Sequence, residues 1–205
     1  MVFRAVLIDW DKTLSKSRFW GHWEQERPIT FGEIQVQLFL QRKDLVHEWM
    51  RGNLDSEAIA NFLQNRLDIP SSELLQHLQQ SCEQMTLINP TILETIQTLR
   101  SRGTLVAIAT DNMDTFLQWT VPALRLQEYF DDMLSSNDLR LLKRDVARDG
   151  TLPFFESILQ GHHLSPSDCV ILDDSNTLGP LAIRNGFHYR QVTPLASASR
   201  LLAHL

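Results

Sequence analysis

Two aspartates near the N-terminus, Asp9 and Asp11, are separated by one residue and follow a short apolar run. Carboxylates that lie this close repel each other, which raises the proton affinity of one while the other stays ionised. Such a pair can supply a nucleophile and an acid. The same pattern is at least as typical of an exposed acidic turn, so its interpretation depends on polar residues elsewhere in the chain.

Further polar residues follow two later apolar runs. Thr110 follows the run 104–109, and Asp173 and Asp174 follow the run 169–172. Open parallel sheets bind ligands in the crevice beyond the carboxyl ends of their strands, so these positions predict one shared site. A helix N-cap is an alternative interpretation of the two adjacent aspartates.

Four motifs, in this order along the chain, resemble those of the haloacid dehalogenase-like (HAD) hydrolase superfamily. They are Asp9-Trp10-Asp11-Lys12-Thr13-Leu14, Thr110, Lys143 and Asp173-Asp174-Ser175. The distances from Ser136 to Lys143 and from Ser175 to Gly186 are also usual in that superfamily. The resemblance spans nearly the whole chain, and it implies a Rossmann-like core with a phosphoryl-transfer or related hydrolytic activity.

The resemblance implies a specific role for each motif residue. Asp9 would attack phosphorus and form an aspartyl-phosphate, and Asp11 would act first as acid and then as base. Thr110 and the backbone N–H of Asp111 would bind a phosphoryl oxygen, and Lys143 would neutralise charge beside it. Dehalogenase members typically lack an aspartate at the position of Asp11, because a halide leaving group needs no proton. We therefore predict hydrolysis of a small phosphorylated metabolite.

The same resemblance implies a magnesium ion as cofactor. The Asp9 side chain, the Asp11 backbone carbonyl and Asp174 would bind it, with Asp173 as a further ligand or as a neighbour of the ligands. A phosphate dianion that approaches a carboxylate needs positive charge nearby, which a divalent cation supplies. Two alternatives stay open: a phosphotransferase or phosphomutase that transfers phosphate to a sugar hydroxyl, and a catalytically silent member that binds a phosphorylated ligand or a partner.

Several positions depart from the superfamily pattern. Lys12 stands where glycine is common, Leu178 where Asp or Asn often supports the metal, and Arg144 where proline commonly follows the third-motif lysine. Asp111 adds negative charge beside the phosphate site, unless it caps the helix that follows. Arg140 and Arg144 are close enough to take the place of the third-motif lysine. These departures bear on metal affinity and substrate identity, while every primary catalytic group is retained.

The elements that must position these residues predict an α/β fold with a parallel sheet. Apolar runs typical of buried parallel strands, or of shorter strands, occur at 2–8, 104–109, 130–135, 169–172 and 187–192. Periodicity and breakers predict helices over 31–50, 56–67, 71–82, 91–100, 114–124, 153–160 and 180–185. Ser56 and Ser71 are candidate N-caps for two of these helices.

The helical stretch 15–89 interrupts a catalytic core predicted to comprise residues 1–14 and 90–205. Its position matches the small helical cap that closes over the active site in many superfamily members, where such a lid excludes water and selects substrates. Some residues just beyond the first motif are expected to face the leaving group, although core packing is favoured for the aromatic ones. These residues are Arg18, Phe19, Trp20, His22 and Trp23.

Composition and charge exclude several other classes of protein. The chain has 205 residues, 43% hydrophobic residues and a formal net charge of -6, which is typical of a globular protein without a broad basic surface for nucleic acid. No apolar stretch reaches membrane-spanning length, and the N-terminal run is too short for a signal peptide. Cys82 and Cys169 have no metal-type spacing, which fits a reducing compartment. We expect a cytoplasmic protein that acts on a small molecule, with neither nucleic acid nor membrane as partner.

Overall fold

The computed structural model describes residues 3–205, and its centre is a five-stranded parallel sheet. The strands are β1 (Ala5–Ile8), β2 (Leu105–Thr110), β3 (Asp132–Ser135), β4 (Cys169–Asp173) and β5 (His188–Gln191). Their order is β3-β2-β1-β4-β5, and each neighbouring pair is parallel. The predicted Rossmann-like α/β fold is confirmed; Val2, in the first predicted strand, lies outside the described residues.

The strand register brings the polar motifs to one edge of the sheet. Ile8 of β1 pairs with Leu172 of β4, so Asp9 and Asp173 follow their strands at the same level. Thr110 ends β2, the neighbour of β1 on its other side. The chain builds β2 and β3 on one side of β1 and then returns to build β4 and β5 on the other, which creates the crevice where such folds bind ligands.

Two hydrophobic clusters cover the two faces of the sheet. Val6 and Ile8 belong to one cluster, and Ala5 and Leu7 belong to the other, as expected for side chains that alternate along a strand. The first cluster continues into the helices between β1 and β2. Because strand residues are buried on both faces, the sequence of β1 is apolar at every position.

The segment between β1 and β2 is helical. It contains α1 (Trp23–Glu26), α2 (Pro28–Ile34), a π-helical segment (Gln35–Leu40), α3 (Lys43–Met50), α4 (Ser56–Leu67), α5 (Ser71–Glu83) and α6 (Ile92–Ser101). The prediction of one helix over 31–50 is wrong, because the backbone of Arg42, at φ -119° and ψ 52°, leaves the helical region between the π-helical segment and α3. The helices predicted over 56–67, 71–82 and 91–100 are confirmed within two residues.

The two predicted serine N-caps are wrong. Asp55 caps α4, because its carboxylate accepts a hydrogen bond from the backbone N–H of Ala58 at 2.8 Å. The Ser56 hydroxyl instead donates to Asp114 at 2.7 Å. Pro70 precedes α5 and provides no side-chain cap.

Short helices connect the remaining strands. They are a π-helical segment (Phe116–Thr120), α7 (Val121–Ala123), a 3-10 turn (Leu126–Glu128), α8 (Ser136–Leu139), a 3-10 turn (Pro153–Phe155), α9 (Glu156–Gly161), a 3-10 turn (Pro166–Asp168), α10 (Leu178–Arg184) and α11 (Ala198–Leu202). The helices predicted over 114–124, 153–160 and 180–185 are present with altered ends or type, whereas α8 and α11 were not predicted. Across residues 3–205, every helix is too short or too polar to cross a bilayer.

Candidate active site

Residues of the first, third and fourth motifs meet in one buried cluster. The Lys143 ammonium donates to Asp9 Oδ1 at 2.6 Å and to Asp173 Oδ2 at 2.5 Å. All three side chains are at most 6% exposed. Asp174 is adjacent, and we call Asp9, Lys143, Asp173 and Asp174 the acidic centre. The structure therefore brings together residues as distant in the sequence as Asp9 and Asp174.

Lys143, and neither neighbouring arginine, is the cation of the acidic centre. Arg140 donates to the backbone carbonyl of Gly52, and Arg144 donates to the Thr177 hydroxyl at 3.1 Å. Both arginine side chains are thus engaged outside the centre. The third-motif position predicted from the sequence is the one that contacts Asp9.

The loop that carries Lys143 is held by an aspartate of the second motif. The backbone N–H of Lys143 donates to Asp111 Oδ1 at 2.8 Å. Asp111 thus orients the Lys143 loop, and it does not cap the helix that follows it. The predicted contact of its backbone N–H with phosphate stays a prediction. Its negative charge favours the charged form of Lys143.

Burial and an excess of carboxylates set the electrostatics of the acidic centre. The pKa of Asp9 is raised to about 7, mainly by burial. The positive charge of Lys143 lowers this pKa, and the negative charge of Asp173 raises it. Burial also disfavours the charged form of Lys143, but the carboxylates of Asp9, Asp173 and Asp111 outweigh it and keep the pKa of the ammonium above its ordinary value. Burial raises the pKa of Asp174 as well. The centre thus holds more acid than base, which favours a bound cation.

The carboxylates of the acidic centre are close enough to share a metal ion. One oxygen each of Asp9, Asp173 and Asp174 lies within 4.8 Å of the others. An all-oxygen set of this kind suits a hard divalent cation such as magnesium. Asp173 already accepts from Lys143 and, at 2.7 Å, from the backbone N–H of Ser175. It therefore fits the role of a group that orients its neighbours better than that of a principal ligand.

The hydroxyl of Thr110 is buried and has no hydrogen-bond partner among residues 3–205. A buried hydroxyl without a partner costs free energy, so such groups are often satisfied by a ligand or by water. Thr110 ends β2, which pairs with β1, so it lies at the same edge of the sheet as Asp9. This position fits the predicted contact with a phosphoryl oxygen, which stays a prediction.

The turn after Asp9 explains why glycine is common at the position of Lys12. The carbonyl of Trp10 accepts hydrogen bonds from the backbone N–H groups of Leu14 and Ser15 at 2.9 Å, which closes the turn. Lys12 has a φ of 56°, in the left-handed region that glycine adopts most readily. Its ammonium lies 3.4 Å from the Asp11 carboxylate, which is 57% exposed and does not belong to the cluster of Asp9, Asp173 and Asp174. The metal contact predicted for the Asp11 carbonyl stays a prediction.

Asp11 faces a cavity of about 280 Å³ between the motif loops and the helical segment. Arg18 and Phe19 line this cavity, whereas Trp20 and Trp23 are fully buried in the core. The cavity is lined by Trp10, Asp11, Lys12, Ser17, Arg18, Phe19, Gln35, Phe39, Met50, Met85, Asp111, Asn112 and Met113. His22 is directed elsewhere, because its Nε2 lies 3.0 Å from Nδ1 of His77.

A larger cavity of about 590 Å³ is lined by Lys12, Thr13 and Leu14 of the same turn. Lys12 lines both cavities, and Asp174 lines the larger one. Asp11 lines only the smaller cavity. A leaving group that receives a proton from Asp11 is therefore expected in the smaller cavity.

The sequence profile of haloacid dehalogenase-like hydrolases matches residues 6–176. The chain belongs to the HAD family. No curated protein matches the sequence. The family assignment agrees with the four motifs and with the arrangement of their residues at one edge of the sheet.

Solved structures share this HAD fold at low sequence identity. The HAD family enzyme BT-2542 from Bacteroides thetaiotaomicron is 14% identical, with a TM-score of 0.73 over 94% of this chain and 95% of that chain. Its complex with magnesium and inorganic phosphate has a TM-score of 0.65 at 14% identity, over 93% and 94%. L-2-haloacid dehalogenase from Xanthobacter autotrophicus, with chloropropionic acid covalently bound, is 20% identical, with a TM-score of 0.65 over 99% and 83%. These neighbours establish the fold, and they include both phosphate-binding and dehalogenating relatives.

The departure from the HAD pattern at Leu178 has a structural explanation. Leu178 is fully buried in the hydrophobic cluster on the face of Ala5 and Leu7, so it is a core residue that gives no support to a metal. Tyr189 of β5 instead holds the fourth-motif loop, because its hydroxyl donates to the carbonyls of Asp173, at 3.0 Å, and Ser175. Sequence reasoning missed Tyr189, since a lone tyrosine in a strand carries no motif.

A set of polar contacts ties the helical segment of this HAD chain to the motif loops. Arg51, after α3, donates to both oxygens of Asp145 at 2.5 and 2.6 Å. The Trp49 indole N–H donates to Asp114 at 2.7 Å, and the Ser56 backbone N–H donates to the same carboxylate at 2.9 Å. We call these five residues the latch. The hydrogen bond from Arg51 lowers the pKa of Asp145.

Proposed function

We propose that this HAD chain is a phosphatase that hydrolyses small phosphate monoesters through an aspartyl-phosphate on Asp9, with magnesium as cofactor. The observation that carries the proposal is the contrast between Asp9 and Asp11. Asp9 is 5% exposed and bonded to Lys143, whereas the Asp11 carboxylate is exposed and lines the adjoining cavity. Two carboxylates in different surroundings can take the separate roles of nucleophile and acid.

The proposed reaction has two steps. A carboxylate oxygen of Asp9 attacks phosphorus, the bond from phosphorus to the ester oxygen breaks, and Asp11 gives that oxygen a proton. Water then attacks the phosphorus of the aspartyl-phosphate while Asp11 takes a proton from it. The bond between phosphorus and Asp9 breaks, which releases inorganic phosphate and restores both aspartates.

The residues around Asp9 support this chemistry through charge and hydrogen bonding. Lys143 neutralises negative charge beside Asp9. The Thr110 hydroxyl, which has no partner within the described part of the chain, would donate to a phosphoryl oxygen. Asp9 and Asp174, with the Asp11 carbonyl and Asp173, would hold magnesium. When bound, that ion supplies positive charge against the phosphoryl oxygens. A structural neighbour that was solved with magnesium and phosphate supports the same assignment.

Asp11 favours phosphoryl transfer over dehalogenation. An alcohol or phenol leaving group needs a proton, and a halide does not. Asp11 lies in the wall of the cavity, where a leaving group can reach it. We further propose that residues 15–89 act as a cap over a core of residues 1–14 and 90–205, because Phe19, Gln35 and Phe39 form part of the wall facing Asp11.

The test is magnesium-dependent release of phosphate from 4-nitrophenyl phosphate. We expect Asp9→Asn to abolish release and Asp11→Asn to lower kcat by about 100-fold or more, since acid–base catalysis contributes roughly 10²–10⁴-fold. Asp138→Asn, at an exposed aspartate outside the site, is the matched control. Full activity of the Asp9 variant would refute the proposal.

Two further measurements separate the alternatives. Chloride release from 2-chloropropionate, without phosphate release from any ester, would indicate a dehalogenase. A silent binding protein should fail to form a beryllium fluoride adduct on Asp9 in the presence of magnesium. A requirement for a sugar bisphosphate during turnover would indicate a phosphomutase.

A further inference from the structure

Much of the wall of the cavity beside Asp11 is apolar. Six of its lining residues are aromatic or methionine: Trp10, Phe19, Phe39, Met50, Met85 and Met113. The rings of Phe19 and Phe39 stack with centroids 6.1 Å apart and an angle of 22° between their planes. Aromatic faces and methionine thioethers pack well against flat, apolar ligands. The walls therefore favour a leaving group with a ring or another apolar body.

The cations that line the cavity already have carboxylate neighbours. Within residues 3–205, these cations are Lys12 and Arg18. Arg18 donates to both carboxylate oxygens of Glu24 at 2.6 Å, and Lys12 lies 3.4 Å from Asp11. A second anionic group on the substrate would have to compete with Glu24 and Asp11 for these two cations. It would also be repelled by the Asp11 carboxylate in the same wall.

The size and the uncharged polar groups of the cavity narrow the ligand further. Its volume of about 280 Å³ lies just below the roughly 300–1,000 Å³ of typical ligand cavities. Gln35 and Asn112 line it and offer hydrogen bonds to uncharged polar atoms. A single small ring suits this volume better than a nucleotide does.

We propose, on the basis of the phosphatase function above, that the substrates are phosphate monoesters with a small, uncharged, aromatic or apolar leaving group. Phe19 and Phe39 contact that leaving group and determine specificity. Esters whose leaving group carries a carboxylate or a second phosphate are poor substrates, and so are sugar phosphates, whose hydroxyls gain little from aromatic and thioether walls.

Matched esters test the charge preference directly. Phenyl phosphate and 4-carboxyphenyl phosphate have the same ring and leaving groups of similar basicity, and acetyl phosphate is a small reference donor. We expect kcat/KM for phenyl phosphate to exceed that for the carboxylated ester, and that for glucose 6-phosphate, by about tenfold or more. Equal or higher values for the charged ester would overturn the inference.

A charge-introducing variant tests the position of the leaving group. Gln35→Lys adds an unmatched cation to the cavity wall, so the kcat/KM ratio of 4-carboxyphenyl to phenyl phosphate should rise by about fivefold or more. An unchanged ratio in a folded Gln35→Lys protein, with folding checked by thermal denaturation, would place the leaving group elsewhere.

A pair of phenylalanine variants tests the apolar wall. Phe39→Ala should lower the kcat/KM ratio of phenyl phosphate to acetyl phosphate by about tenfold, mainly through KM. The matched control is Phe62→Ala, since Phe62 is a half-buried residue of α4 that packs under Arg66 outside the cavity. Equal ratios in the two variants would contradict the assignment.

Failure of this inference differs from failure of the phosphatase proposal. Magnesium-dependent hydrolysis of phosphate esters without a preference for the uncharged ones overturns the substrate class and leaves the phosphatase reaction intact. Absence of phosphate release from acetyl phosphate and from every ester overturns both.

Discussion

The acidic centre and the latch make similar contacts in different surroundings. Lys143 lies 2.6 Å from Asp9, and Arg51 lies 2.5 Å from Asp145. The first two side chains are 6% exposed, and the second two are 29% and 25% exposed. Burial raises the pKa of Asp9 to about 7, whereas the hydrogen bond from Arg51 lowers the pKa of Asp145. The distance between the two charged groups therefore does not decide whether the pKa of the aspartate is raised or lowered.

Charge balance explains the difference. The acidic centre places the buried carboxylates of Asp9 and Asp173 against one ammonium, with the half-buried Asp174 close by. In the Arg51–Asp145 pair of the latch, a single guanidinium binds both oxygens of one carboxylate. Excess buried charge costs stability until a cation binds, and a matched bidentate pair has no such excess. We infer that the acidic centre is adapted to bind and react, and the latch to hold the helical segment in place.

Removal of the ammonium from the acidic centre should have the largest effect. Lys143→Met leaves Asp9 and Asp173 without a buried counter-charge, so we expect the free energy of unfolding at pH 8 to fall by about 3–5 kcal/mol. The loss should be smaller at pH 5, because the carboxylates then take up protons. Urea denaturation at both pH values measures it, with exposed Lys43→Met as control. An equal loss at both pH values would contradict the charge argument.

Magnesium should stabilise the protein more at pH 8 than at pH 6. The pKa of Asp9 is raised to about 7 and that of Asp174 is also raised, so at pH 6 the metal must displace protons. For a group that titrates near pH 7, apparent metal affinity should fall about tenfold, or about 1.4 kcal/mol, between pH 8 and pH 6. Thermal denaturation with and without magnesium measures this. A pH-independent shift, or a full shift in Asp174→Asn, would be inconsistent with the proposed metal site.

Removal of the Arg51–Asp145 pair of the latch should cause the smallest loss of stability. This loss should also be smaller at acidic pH. Arg51→Gln removes the bidentate contact with Asp145, and we expect a loss of about 1 kcal/mol at neutral pH, because the pair is partly exposed to water. The folded-state pKa of Asp145 is lowered, so its stabilising effect is present above the unfolded pKa and is lost as the pH falls through the folded pKa.

Chemical denaturation of wild type and Arg51→Gln from neutral to acidic pH follows the loss of the latch pair. The difference should shrink only in the acidic range where aspartates titrate. Arg51→Lys keeps the charge without the bidentate geometry and should recover part of the stability. A difference that stays constant into acid would show that the contact does not depend on the ionised carboxylate.

The sequence predicted the aspartates of the acidic centre because their determinants are local, whereas Lys143 was predicted only from the resemblance to the third HAD motif. An apolar run marks each of the strands β1, β2 and β4, and the polar residues Asp9, Thr110 and Asp173 stand at their carboxyl ends. Strand pairing then brings such ends together without any further information. The helices were predicted for the same reason, although their ends depended on single residues such as Asp55 that periodicity does not distinguish.

The latch and the loop supports could not be predicted from local patterns. Arg51 and Asp145 are 94 positions apart, and each is an ordinary charged residue in its own segment. The contacts of Asp111 with the Lys143 loop and of Tyr189 with the fourth motif likewise depend on tertiary packing. Only the folded chain shows which polar residues position the acidic centre.

The hydrophobic cluster on the face of Val6 and Ile8 limits how this protein can be divided. Trp20, Trp23 and Trp49 belong to the same cluster as that face of the sheet, so the helical segment and the core share their interior. Excision of residues 15–89 would expose apolar side chains of the core to water. A segment transplanted from a relative would have to pack against the same apolar surface of the core. New specificities are therefore expected to arise by exchange of individual side chains around the cavity, rather than by substitution of a whole module.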